Sequence, residues 1–166
     1  MMNRRIAALC ALTAVSWITM TLTHECGHLI GGWFSGATLQ QADLLPWHLP
    51  YSVFDPNPHP LLTLWSGPLL GILVPVGFAG LVRHERVWFI ASFCVLANGL
   101  YLAVAWVSGD RWLDTTQLLE HGAAPVSIAM YCLFTISTGY YRLRRSFIRQ
   151  FLVSTQTPVS AEDRPH

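Results

Sequence analysis

Lysine is absent from this chain, and charge of either sign is scarce. Asp, Glu and Arg together make up 11% of the 166 residues, against roughly 25% in soluble domains. That deficit, set beside 52% hydrophobic residues, excludes an ordinary soluble domain and indicates a multi-span membrane protein. The net charge is only +1. No basic stripe interleaved with aromatics occurs, which argues against a nucleic-acid partner. The four cysteines, Cys10, Cys26, Cys94 and Cys132, each lie in an apolar run and form no C-x-x-C pair. They read as small hydrophobes rather than a disulfide framework. Internal repeats are also missing.

What is present is a set of long apolar runs separated by short polar ones. Met1–Arg5 carries Arg4 and Arg5, and Ile6 to Leu22 is uncharged, with apolar character continuing to Phe34. The run is longer than the 7–15 residues or so of a signal-peptide core and has no A-x-A site before His24, so a retained transmembrane helix is expected. Residues Gly36–Pro60 hold five prolines and are expected to form an irregular re-entrant or interfacial loop. Its His48 and His59 read as interfacial polar residues. Leu61–Val82, Val87–Val107 and the more weakly apolar Ala123–Tyr141 are three further candidate spans. In Leu61–Val82, Gly67-Pro68 reads as part of a tightly packed, bent helix, the alternative being a break beside the metal that admits substrate. The expected fold is therefore all-α, a multi-pass bundle of about four spans, with residues 1–150 as one membrane-embedded domain and 151–166 as a disordered polar tail.

Within the first apolar run stands His24-Glu25-Cys26-Gly27-His28, an H-E-x-x-H pentad. On a helix, positions i and i+4 share a face, so both histidines can reach one metal ion and Glu25 can take a proton from a water beside it. Zinc suits two imidazoles and a carboxylate. From this composition, chance yields such a pentad in roughly 0.007 of chains. A glutamate in an apolar span also costs about 2.5–3.5 kcal/mol on insertion scales, which itself points to function.

Ten arginines carry the positive-inside signal. Nine are satisfied by four spans with both termini cytoplasmic; Arg111 is the exception. This topology puts the pentad and Asp110 at similar depth on the non-cytoplasmic side. Asp110, freed by the preceding Gly109, is the favoured third ligand, with Asp114 the fallback one turn onward. Asn98 lies about 18 Å from Asp110 along an unbroken helix, so it is expected to join the site only if that helix breaks at Gly99.

An H-E-x-G-H pentad in the first span, Gly67-Pro68 in the next, and an aspartate after a glycine at the end of the third resemble the site-2 protease family of intramembrane zinc metalloproteases. The resemblance covers roughly Ile6 to Asp114. It implies His24, His28 and Asp110 as Zn2+ ligands, Glu25 as general base, and residues 36–60 as a segment that presents substrate as an added strand. Asn98-Gly99-Leu100-Tyr101 lacks the proline of the family's N-x-x-P, and the aspartate follows later than in its L-D-G. The function expected is hydrolysis of peptide bonds in membrane-spanning or membrane-anchored proteins, in a bacterial-type inner or plasma membrane. The competing reading is a non-catalytic membrane protein with a structural zinc site, acting as a regulator or chaperone of other transmembrane proteins. A small transporter would need more intramembrane polarity than is present.

Overall fold

The computed structural model describes residues 2–152. It comprises α1 (Met2–Phe34), β1 (Leu39–Asp43), β2 (Tyr51–Phe54), α2 (Pro60–Val82), α3 (Glu85–Ser108), α4 (Asp114–Glu120) and α5 (Pro125–Phe147), closed by a π-helical turn over Ile148–Leu152. The tail expected from residue 151 falls, beyond that turn, outside the described residues.

Local chemistry explains the helix boundaries. Helix α1 runs without proline until Gly36, whose φ of 72° lets the chain leave in the left-handed region. Helices α2 and α5 both begin with proline in the first turn, where the missing N–H has no intrahelical partner to lose. Helix α3 is capped by His84, whose Nδ1 accepts from the Arg86 N–H, and it ends at Gly109 with φ 65°. Pro68 and Pro75 lie inside α2, yet the helix continues through Gly67-Pro68 without a break.

Helices α1, α2 and α3 are long and apolar enough to cross a membrane. Four such spans were expected. Helix α5 has 23 residues but falls short in apolarity, because Ser, Thr and Tyr residues are spread along it and Arg142, Arg144 and Arg145 lie in its final turns. Polar side chains share the interior with an apolar core, and large apolar side chains cover the exterior. Ser16, Thr21, His24, Glu25, His28, Asn98 and Thr115 are buried, while Leu81, Val107 and Trp33 are 75–90% exposed. An apolar exterior over an interior that takes in so many polar groups suits lipid surroundings. Among the described residues no buried side-chain polar atom lacks a partner.

The all-α expectation needs one correction. Residues 39–54 form an antiparallel hairpin, with Gln41 opposite Val53 and Asp43 opposite Tyr51. The prolines do exclude helix, but they all lie outside the two strands: Pro46 and Pro50 between them, Pro56, Pro58 and Pro60 after them. Each strand thus keeps its ladder of N–H donors. The hairpin sits on α1 beside the pentad. The Trp17 indole N–H donates to the Pro46 carbonyl at 2.8 Å, and the Ser52 hydroxyl to Glu25 Oε2 at 3.0 Å.

Candidate metal centre

Glycines set the approach of α1 to α2. A Cβ on Gly27 would stand 2.8 Å from the Gly67 Cα, and one on Gly67 would run into the His28 imidazole. Two side chains reduced to hydrogen therefore let the backbones nearly touch and seat the His28 ring against α2.

Hydrogen bonds then fix which nitrogen each histidine points inward. His28 Nδ1 lies 2.9 Å from the Thr63 carbonyl oxygen. A carbonyl only accepts, so Nδ1 carries a proton and Nε2 is the nitrogen turned toward Asp114. For His24 the partner is Asn98. The Asn98 Nδ2 donates to the Cys94 carbonyl at 2.9 Å and the Gly71 carbonyl at 3.3 Å, which turns Oδ1 toward His24 Nδ1, 2.6 Å away. His24 Nδ1 is thus also the donor. Its Nε2 lies 3.1 Å from His28 Nε2.

The third group at this point is Asp114. Its Oδ2 is 2.8 Å from His24 Nε2 and 3.2 Å from His28 Nε2. Asp110 is elsewhere: exposed, with Oδ1 accepting from the Trp112 N–H at 3.0 Å. The carboxylate brought to the histidines is thus Asp114 and not the favoured Asp110. Asp110 turns the chain just after Gly109, and α4 folds back against α3, where the Thr115 hydroxyl donates to the Leu102 carbonyl at 2.8 Å. That return brings Asp114 to His24 Nε2 while Asn98 holds His24 Nδ1, so Asn98 joins the site with α3 unbroken. Burial raises the cost of charge on Asp114, but the opposing His28 and His24 outweigh it and hold its carboxyl well below the usual range.

Ligand atoms of His24, Glu25 and His28 lie within 4.8 Å of one another, and the three could hold a metal ion. The pentad thus stands as expected on one helical face. Cys26 points outward, and all four cysteines are unpaired. His48 lies 3.5 Å from Asp43 and His59 precedes α2, and neither joins the metal group.

Two cavities meet at Glu25. One of about 730 Å³ runs beneath β2, lined by Tyr51, Val53, Thr63, Asp114 and Gln117 together with Glu25 and His28. The other, about 340 Å³, lies between α1 and the 46–50 bend, lined by Trp17, Met20, Trp47 and Leu49. Glu25 and Tyr101 border both, and the Tyr101 ring meets His24 edge-on at 5.3 Å. Sequence reasoning passed over Ser52, Thr63 and Tyr101. Asn98 carried a visible signal, an amide in an apolar span. No protein-family model, curated protein or solved structure matches this chain.

Proposed function

We propose that the protein is an intramembrane zinc metallopeptidase of the site-2 protease type, with His24, His28 and Asp114 as ligands and Glu25 as general base. The observation that carries this reading is the convergence of three side-chain atoms on one point. Both imidazoles engage Thr63 and Asn98 through Nδ1, and the two Nε2 atoms and Asp114 Oδ2 form a triangle with separations of 2.8, 3.1 and 3.2 Å. A proton on an imidazole Nε2 can hold such a triangle without metal, and the same three atoms can take a cation in its place. Donors about 2.0–2.1 Å from a tetrahedral zinc are roughly 3.3 Å apart, close to the triangle seen.

Zinc, when bound, would polarise the scissile carbonyl and acidify a water. The chain does the rest. Glu25, held by the Ser52 hydroxyl, receives the water's proton and returns it to the leaving amine. Strand β2 pairs with β1 on one side, and its residues line the larger cavity with no third strand among the described residues. An extended peptide can add along that free edge and bring its backbone past Glu25. A helical substrate must unwind to do so, which suits a peptide drawn from another protein's membrane span.

The arginines support both termini on the cytoplasmic side, with α5 as a fourth span. Helix α5 lies along α3, from Ile128 in the core cluster with Leu102 to Ser146, whose hydroxyl donates to the Glu85 carbonyl. It therefore covers the thickness that α3 covers.

The test is Glu25→Gln in the full chain, co-expressed with a tagged single-span substrate library. Cleavage is expected to fall by at least about a thousand-fold while bound zinc, measured by mass spectrometry, stays near one per chain. Cleavage that survives the substitution overturns the mechanism. A cell phenotype that depends on the histidines but is indifferent to Glu25 would assign the site to structure and regulation.

A further inference from the structure

We propose that a groove between α2, α3 and α5, at the arginine-rich end of the molecule, binds one anionic phospholipid, with its phosphate at Arg142 and Arg145 and an acyl chain along the groove. The inference concerns a face away from the metal centre and does not depend on catalysis there.

Two cavities make up the site. The polar one, about 650 Å³, is lined by Arg142, Arg145 and Arg149 against the single carboxylate of Glu85. That carboxylate is engaged, since Arg149 pairs with it at 3.2 Å. Among the described residues no carboxylate lies within ion-pair distance of Arg142 or Arg145. Arg142 is held in place, its guanidinium 4.2 Å from the centre of the Trp88 ring. A guanidinium stacked this way keeps its in-plane N–H groups free for a bidentate phosphate. The Ser137 and Thr138 side chains border the same cavity.

The apolar cavity, about 410 Å³, shares Trp88, Ser92, Thr138 and Arg142 with the polar one and continues between α2 and α5 past Leu73 and Phe134. On α5 it reaches from Arg142 to Tyr131, eleven residues or about 16 Å of helix. That is about one leaflet of a hydrocarbon core roughly 30 Å thick. The combination therefore offers cations at the interface and an apolar channel one leaflet deep. Orientation of the chain requires only net positive charge at this end. It requires neither a fixed guanidinium nor a groove beneath it. Charge selects an anionic headgroup, and the groove's depth selects a lipid over a free phosphate compound.

The full chain, purified and reconstituted, would be titrated with dioleoyl-phosphatidylglycerol, dioleoyl-phosphatidylcholine and soluble glycerophosphoglycerol, and bound ligand counted by native mass spectrometry. One phosphatidylglycerol should bind at least ten-fold more tightly than phosphatidylcholine, and the soluble headgroup should bind far more weakly. R142Q/R145Q should weaken the anionic lipid by about thirty-fold, as loss of two interfacial cations predicts. R83Q/R144Q removes equal charge from the same end outside the groove and should leave binding within about three-fold of wild type. Leu73→Trp, which narrows the acyl channel without touching charge, should weaken both lipids. Equal losses from the two arginine pairs, equal binding of the two lipids, or glycerophosphoglycerol binding as tightly as the lipid would each overturn the proposal.

Discussion

His24 shows how much of the site rests on groups that touch no metal. Its outward nitrogen is tied to Asn98, and Asn98 is itself tied to two carbonyls on different helices, Cys94 of α3 and Gly71 of α2. Asn98→Leu keeps the volume but strands the His24 Nδ1–H, so zinc affinity should fall by about 10–100-fold. Asn98→Asp, which still accepts, should retain most of it. Competition with a chromogenic chelator measures both, and equal affinities in the two variants would rule out this role. The two aspartates separate as cleanly. Asp114→Asn should leave less than about a tenth of the wild-type zinc, because a carboxylate in a three-ligand set is replaced by a poorer donor. Asp110→Asn should change zinc content little, since its Oδ1 serves only the turn at Trp112. If zinc content instead follows Asp110, the ligand set proposed here is wrong.

At the scale of elements, α1 and α2 meet through Gly27 and Gly67, and the His28 ring occupies the space a side chain at 67 would need. Gly67→Ala forces the ring or the helix aside. Overpacking of this kind costs about 1–3 kcal/mol, and here it should also cost zinc, since His28 Nε2 would leave the triangle. Thermal unfolding and zinc content should fall together; a stable, fully zinc-loaded alanine variant would show that the contact has slack. These elements also show what the sequence could and could not disclose. The spans α1 to α3 were legible because apolar runs and helix stops are local signals: Gly36, Gly109 and Pro60 stand where the helices end or begin. The i, i+4 spacing of His24 and His28 was legible for the same reason. Asp114 was legible only as the fallback to Asp110, because its position depends on α4 folding back onto α3 through the Thr115–Leu102 contact, a long-range event with no local mark. The strands were hidden as well. They have five and four residues, too few for period-two alternation to stand out among prolines that by themselves suggest only a loop.

For the whole molecule, the open matter is how many times the chain crosses the bilayer, and charge and packing bear on it differently from hydropathy. By apolarity alone α5 is the weakest of the four long helices, because Ser, Thr and Tyr residues run along it and its last turns carry Arg142, Arg144 and Arg145. Yet those arginines lie where a crossing helix would emerge. Arg149 pairs with Glu85 at the start of α3, and the Arg5 guanidinium donates to the Phe151 carbonyl at 3.4 Å near the start of α1. The N-terminal ends of α1 and α3 and the C-terminal end of α5 thus share one face of the molecule, together with Arg83 and Arg86. Arg111 lies at the opposite end, in the loop between α3 and α4 that leads to the metal centre. Arginines at helix ends are tolerated by snorkelling and are held on the cytoplasmic side. On the proposed topology, a helix pinned to that side at its last turn and lying along the length of α3 would traverse the same hydrocarbon. Alkaline phosphatase, active only outside the cytoplasm, distinguishes the alternatives. Fused after Asp43 or Gly122 it should be active, and fused after Arg83 or Phe151 inactive. An active fusion at Phe151 with an inactive one at Arg83 would mean that α5 stays on the outer side and that the chain has three spans. Such a result would separate Arg149 from Glu85 and so overturn the packing of α5 along α3.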